Sequence, residues 1–328
     1  MVLVKAVLSQ LHSYWARIFI IPKTIILKIK SICRNYLWEG TDAYSKSPSV
    51  AWEAVCNAKD KGGLGIIHSE DWNVAMIGKY TWWLACKEDH LWIKWINHVY
   101  MKQQDWDVYQ PTINSSWTWR QICKVKERMK AGYVNDIWGT NKGVYTPTAG
   151  YKWLRGDTPK VDWHPVIWGR LNTPKHSFIA WLYVLRRLAT NDRLGHHGMQ
   201  VDGDCELCGL EYETHEHLFF GCKYSSRCLE LVSSWLGCSI PDQQVIQWCL
   251  QLKVKSMIKK QVIHSAVVAL IYLIWMERNR CRIEQSVQHP VRVFQQVQYH
   301  VRLRLKSKQG ISMSTAAQDW CRQVQGLS

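Results

Sequence analysis

The stretch CELCGLEYETHEHLFFGC, residues 205–222, decides how this chain is read. Cys205 and Cys208 are separated by two residues, a turn in which backbone amides can point at both sulfurs and help hold them as thiolates. His217 follows nine positions after Cys208, and Cys222 five after that, giving C-x2-C-x8-H-x4-C. Three sulfurs and one imidazole suit tetrahedral zinc, and a filled Cys3His set leaves no position for a reactive water. The expectation is one structural Zn2+ on Cys205, Cys208, His217 and Cys222. His215 is the alternative histidine, at spacings of six and six. Thr214 is placed to cap a short helix that carries His217 in its first turn. On an uninterrupted helix His217 and Cys222 would lie about 140° apart, because one turn takes about 3.6 residues. Gly221 is therefore expected to end the helix in a left-handed conformation and turn Cys222 back. Cys228 and Cys238 lie farther along the next helix and read as packed thiols.

Composition sets the frame around this cluster. A chain of 328 residues, 47% of them hydrophobic, can build a sizeable core and is no disordered tail. The net charge of +16 points to a polyanionic partner and says nothing about fold. Twenty tryptophans read first as core, and second as stacking platforms for unpaired bases. Met1–Gln10 lacks the basic start and small-residue cleavage site of a signal peptide. The reading is a reducing compartment, nuclear or cytoplasmic, where clustered cysteines bind metal more often than they pair. The longest apolar run, Ala266 to Met276, is too short to span a bilayer, so no membrane partner is expected.

Helical periodicity dominates elsewhere. Val7, Leu11, Tyr14, Trp15 and Ile18 share one face. Beyond Pro22 the pattern resumes with Ile25, Ile26, Ile29, Ile32, Cys33, Tyr36 and Leu37. Gly62-Gly63-Leu64-Gly65 lacks the Lys-Ser/Thr of a phosphate loop and reads as a structural turn. Met76, Tyr80, Trp83 and Leu84 form one further stripe, and Trp92, Trp95, Ile96 and Val99 another. The turn-rich span 103–144, with Pro111, Asn114, Gly139 and Gly143, reads as a connection holding one short helix near Trp119 to Met129. From Gln247 to Lys308 the helical pattern returns, broken at Pro290. The fold class is mainly α: an irregular helical assembly with a small Cys3His zinc-knuckle module and few or no strands. Any strand would be short, near Gly143–Thr146 or around the cysteine turn.

A resemblance rests on the run VDWHPVIWGRLNTPKHSFIAWLYVLRRLATNDRLGHHG, residues 161–198, and on the cysteine stretch after it. Its carriers are Trp168, Pro174-Lys175, Phe178 and Trp181, Leu188 to Leu194, Cys205, Cys208, Glu213 to Phe219, and Cys222. Together they resemble the zinc-binding domain of plant LINE-type (non-LTR) retrotransposon reverse transcriptases, over about residues 145–240. YWARIFIIPKTIILKIKSICRNYLWEG (14–40) and VAWEAVCNAKDKGGLGIIHSEDWNVAMIGKYTWWLA (50–85) are similar to the segment after the polymerase palm. Ala58 departs from the proline that relatives often carry there. LIYLIWMERN (270–279) resembles the helix that leads toward a ribonuclease H domain. The resemblance implies a region after the palm at 1–102, the connection at 103–144 and the zinc-binding domain at 145–240. A basic helical region at 241–308 and a loosely held tail at 309–328 complete the division. Trp168, Phe178 and Trp181 are expected to pack the module's helices.

Two further expectations concern activity. Reverse transcription needs paired carboxylates to hold two metal ions, and no two aspartates are adjacent in this chain. After Asp242 the only carboxylates are Glu277, Glu284 and Asp319, too few and too scattered for a ribonuclease H site. The chain is thus expected to be no enzyme. Residues 251–308 carry twelve lysines and arginines against two glutamates. Lys253, Lys255, Lys259, Lys260, Arg302, Arg304, Lys306 and Lys308 are the candidate phosphate contacts, for RNA or single-stranded DNA. The polymerase core of a parent polyprotein is a further candidate partner. The alternative reading is a structural or protein-interaction remnant with no specific nucleic-acid role.

Overall fold

The computed structural model describes residues 4, 13–41, 48–102, 104–134, 144–200, 203–307, 320–324 and 326. No strand occurs among them; one isolated antiparallel bridge, Asp204 to Tyr212, closes the cysteine turn. The mainly α class follows from the periodicity and holds among the described residues. The chain divides into two compact units, Met1–Lys160 and Val161–Ser328.

The first unit contains α1 (Ser13–Ala16), α2 (Lys23–Trp38), α3 (Trp52–Val55), α4 (Ser69–Ala85), α5 (Leu91–Ile96), α6 (Trp117–Val134) and α7 (Pro147–Leu154). α1, α2, α6 and α7 all pack on α4. That helix is covered on every side, because Ala75, Gly78 and Thr81 admit close neighbours between Val74, Met76, Ile77 and Leu84. Its buried polar groups are satisfied, as burial demands. Asn73 donates to the carbonyls of Ala16 and Phe19 and accepts from the Ile21 amide. Asp71 receives Arg128 at 2.8 Å, with His68 and Arg155 beside it. The glycine turn is structural, as its composition implies. Gly62 has φ +85°, and a Cβ on Gly63 would stand 2.1 Å from the Asn57 carbonyl.

Three expectations fail in this unit. α6 is not short: it runs 18 residues and buries Trp119, Ile122, Cys123, Val125 and Met129. With Trp106 and Tyr109 it makes part of 103–144 core rather than mere connection; Gly139 and Gly143 lie outside the described residues. Of the stripe Trp92, Trp95, Ile96 and Val99, Ile96 is buried and Trp92 packs on the core, but Trp95 and Val99 are exposed, with Ile93 and Met101 buried in their place. The chain widens into a π turn at Asn97–Met101, which shifts the buried face. Tyr14, Trp15, Ile18 and Ile25 are exposed; Ile26, Cys33 and Leu37 are buried as the pattern has it, and Ala16 and Ile21 join Ile26 in a small core. Val7 and Leu11 lie outside the described residues.

The second unit contains α8 (His164–Ile167), α9 (Pro174–Val184), α10 (Asn191–His196), α11 (Lys223–Leu236), α12 (Val245–Gln251), α13 (Met257–Glu284) and α14 (Pro290–Lys306). α13 is its axis, with α8, α9, α11, α12 and α14 packed on it. The Ser256 hydroxyl caps its start, and Gln285 at φ +52° ends it. Pro290 then opens α14 at its first position, where a missing N–H costs nothing. By length and composition α13 could cross a bilayer; 72% of its apolar window is buried within the protein. Trp181 is fully buried on α9, with Phe178 5.8 Å from it and half-buried, and Trp168 is half-buried too.

Candidate metal centre

The four candidate ligands converge. Their donor atoms, the sulfurs of Cys205, Cys208 and Cys222 and a ring nitrogen of His217, all lie within 4.8 Å of one another. Cys205 Sγ is 3.9 Å from Cys222 Sγ, and Cys208 Sγ is 3.3 Å from His217 Nε2. Zinc–sulfur bonds of about 2.3 Å in a tetrahedron set two sulfurs about 3.8 Å apart. The donor set and its spacing therefore fit zinc.

Local folding explains the convergence. Gly209 donates to the Cys205 carbonyl at 2.8 Å, and Cys205 donates to the Glu211 carbonyl at 2.8 Å, which closes the knuckle. The Leu207 and Cys208 amides point at Cys205 Sγ, as the two-residue spacing implies. Thr214 Oγ1 accepts from the His217 amide at 3.0 Å, the expected cap. Gly221 does not act as expected: it does not adopt the left-handed conformation. Instead His217–Gly221 is a π turn, in which the Cys222 amide donates to the His217 carbonyl at 2.6 Å. Widening from i+4 to i+5 carries Cys222 round to the face of His217. Ser225 and Ser226 hydroxyls take the Leu218 and Phe220 carbonyls at 2.6 and 2.9 Å. Cys222 then opens α11, with the Tyr224 and Ser225 amides at its sulfur.

Hydrogen bonds at the site favour the thiolate form of one sulfur, that of Cys222. The Cys205 thiol donates to Cys222 Sγ, which raises the Cys205 value and, with the two amides, holds Cys222 below the ordinary thiol range. Glu211 Oε2 stands 3.2 Å from His217 Nδ1, a contact that orients the ring and leaves Nε2 for a metal. His215 is elsewhere: its ring stacks on Tyr183 at 4.6 Å, and its Nε2 lies 3.0 Å from the Tyr183 carbonyl. It is neither the alternative ligand nor an exposed side chain. Cys228 is fully buried, and burial pushes its thiol up to about 12, so it is an inert core residue.

One network escaped the sequence reading. Glu213, fully buried, receives the Arg278 guanidinium from α13 through Nε at 3.0 and 3.1 Å and a terminal nitrogen at 2.6 Å. That arginine also donates to Asn191 Oδ1 at 2.9 Å, and the Asn191 amide returns to Glu213 Oε1 at 3.0 Å. The loop between the knuckle and His217 is thereby pinned to α10 and α13. Glu213 stood in the motif and Arg278 in the basic tally, but nothing in their spacing, 65 residues, joined them.

The basic candidates scatter. Lys253, Lys255 and Lys306 are exposed, Lys260 is half-buried, and Lys259 lies 5.0 Å over the Trp320 ring. Arg302 donates to the Val324 carbonyl at 2.9 Å. Arg304 donates to the carbonyls of Arg170, Leu171 and Asn172 at 3.2 to 3.3 Å. Lys308 lies outside the described residues. On a helix, alternate residues splay to opposite sides, so Arg302 and Arg304 do not form one stripe.

A helical protein with a buried Cys3His cluster on a knuckle and a π turn is the class this site defines. Residues 145–228 match the family described as zinc-binding in reverse transcriptase. An Arabidopsis thaliana protein named "Putative ribonuclease H protein" is 31% identical over 123 residues, 37% of this chain. The chain covers only 20% of that relative's length. No solved structure matches. The region thus resembles the zinc-binding part of a retrotransposon-type reverse transcriptase, as its motif implies.

Proposed function

We propose that the chain is a non-catalytic, nucleic-acid-binding part of a LINE-type retrotransposon polyprotein, with one structural zinc ion held by Cys205, Cys208, His217 and Cys222. The observation that carries this reading is the cluster itself: four soft donors within 4.8 Å, in a region matching the reverse-transcriptase zinc-binding family. A zinc ion there would tie the knuckle to the π turn and open no coordination position for chemistry. The net charge of +16 and the exposed Lys253, Lys255 and Lys306 favour RNA or single-stranded DNA as partner. The relative's name raises ribonuclease H activity. Two of the three late carboxylates speak against it here, because Arg280 engages both Glu277 and Glu284. A reducing compartment, nuclear or cytoplasmic, suits the twelve free thiols, Cys86 exposed among them.

A salt series tests the reading. Labelled single-stranded RNA should bind wild type with a log–log slope of about −0.7 per phosphate contact. Metal analysis should return one zinc per chain, and Cys222→Ser should lose it. Binding without salt dependence would sink the nucleic-acid reading. A second reading, a surface for another protein such as the polymerase core, is favoured by exposed rings and aliphatic groups on α1, on α2 and in the turn between them. Tyr14, Trp15, Ile18, Ile25 and Leu27 are each about half exposed or more.

A further inference from the structure

A cavity of about 960 Å³ opens beside the metal centre, wholly within the second unit. Its size is that of a small-ligand pocket. The π turn forms one side through Phe220 and Gly221, and α12 forms the other. Rings supply the apolar surface: Tyr183, already stacked on His215, and half-buried Trp163. Polar groups cluster on the α12 side. Gln243, Gln244 and Gln247 line the cavity, and their carboxamides make no hydrogen bond among the described residues. Gln244 is held at φ +50°, a conformation rare for a side-chain-bearing residue.

The charges of the lining sort into engaged and free. Glu216 is paired with Arg186 at 2.5 Å, and Glu211 is held by His217. Asp162 and Asp242 are exposed and carry no ion pair among the described residues. Two free carboxylates repel a phosphate, so the cavity is no phosphate site. They accept hydrogen bonds from N–H donors, and flat rings beside them offer a stacking surface. Free carboxylates, free carboxamides and aromatic faces together match an unstacked base read on its edge. Among the bases, guanine presents adjacent ring N–H and amino donors that one carboxylate can accept side by side. Phosphates then stay outside, where exposed Lys253 and Lys255 follow α12 and Arg187 follows Arg186.

We infer that this cavity receives a single unpaired guanine base from a bound strand, with Asp242 or Asp162 accepting its donor edge and Trp163 or Tyr183 stacking on its face. The inference rests on the nucleic-acid reading and goes beyond it by adding a base preference to contacts with phosphates. Bidentate contacts discriminate by about 1–3 kcal/mol, and a tenfold preference corresponds to about 1.4 kcal/mol.

The test is fluorescence anisotropy with labelled oligouridylate heptamers, with and without one central guanosine, across a salt series. Wild type, Asp162→Asn, Asp242→Asn, the double variant and Trp163→Ala are compared, each checked for one bound zinc and an unchanged melting curve. The exposed aspartates can be changed without touching the core. The expected result is roughly tenfold tighter binding of the guanosine strand. That preference should fall below about twofold in the double Asp variant and in Trp163→Ala, with the salt slope unchanged. Equal affinity for both strands with a retained slope overturns the inference and leaves the nucleic-acid reading standing. No salt-dependent binding of either strand removes both. Absence of a guanosine preference, with aspartate-dependent binding of an arginine-containing peptide, would assign the cavity to a cationic protein segment and overturn the inference too.

Discussion

Single residues carry the site's energetics, and the Glu213–Arg278 pair is the clearest case. Both partners are almost wholly buried, so removing one leaves an uncompensated charge. Glu213→Leu or Arg278→Met alone should therefore cost about 3–5 kcal/mol in urea unfolding of the zinc-loaded protein. The double variant should recover much of that loss. A single-variant cost under about 1 kcal/mol would show that the pair holds nothing in place. The Cys3His cluster was legible because a zinc site demands certain atoms at certain spacings, and short-range spacing is written in the chain. Arg278 was not legible, because a buried guanidinium looks in sequence like any surface arginine. The same holds for Lys126, 2% exposed, whose ammonium donates to the Trp106 and Tyr109 carbonyls at 3.2 and 2.7 Å. Lys126→Met should lower stability by about 1–3 kcal/mol through the orphaned carbonyls, which denaturation midpoints would register.

At the scale of elements, caps and breaks were legible and local widening was not. Thr214 and Pro290 mark helix starts in the sequence as they do in the fold, whereas Thr146, placed in a possible strand by the sequence, caps α7 instead. The two π turns, Asn97–Met101 and His217–Gly221, left no signal, because one extra residue per turn alters no residue type. The second has a measurable consequence. Gly221 is not left-handed, and a Cβ there would meet nothing closer than 3.5 Å. Gly221→Ala should therefore keep its zinc and lose less than about 1 kcal/mol, where a left-handed cap would lose more. Ser225→Ala should cost more than Gly221→Ala, about 1–3 kcal/mol, since it strands the buried Leu218 carbonyl. Thermal melts of both variants would reverse that order if Gly221 were the essential residue.

Over the whole molecule, stability should depend on pH through buried imidazoles. His176 is 2% exposed, stacks on Tyr272 at 4.4 Å and faces His300 at 4.7 Å. Burial, then His300, Lys175 and Arg304, pull its pKa from 6.5 down to about 3. Between those values the unfolded chain binds the proton and the folded one does not. Stability is thus fully present above about pH 6.5 and falls on acidification, by up to about 1.4 kcal/mol per pH unit from this group. His176→Phe should flatten that part of the profile in urea midpoints measured from pH 7.5 to 5, which separates it from protonation of the metal donors. An unchanged slope would rule His176 out. The mainly helical class was legible at this scale because periodicity is repeated over many residues. The division after Lys160 was not: α7 shows no break from the motif region, yet it packs on α4 in the first unit.

That division bears on portability. The matched motif begins at residue 145 and ends at 228, but α7 rests on α4 and the cation for Glu213 sits on α13 at 278. An excised 145–228 peptide would carry every metal donor and still lack both supports, so the motif is a signature and the smallest self-sufficient piece is longer. Grafted into a foreign chain, it would travel as a chelating loop and leave its architecture behind.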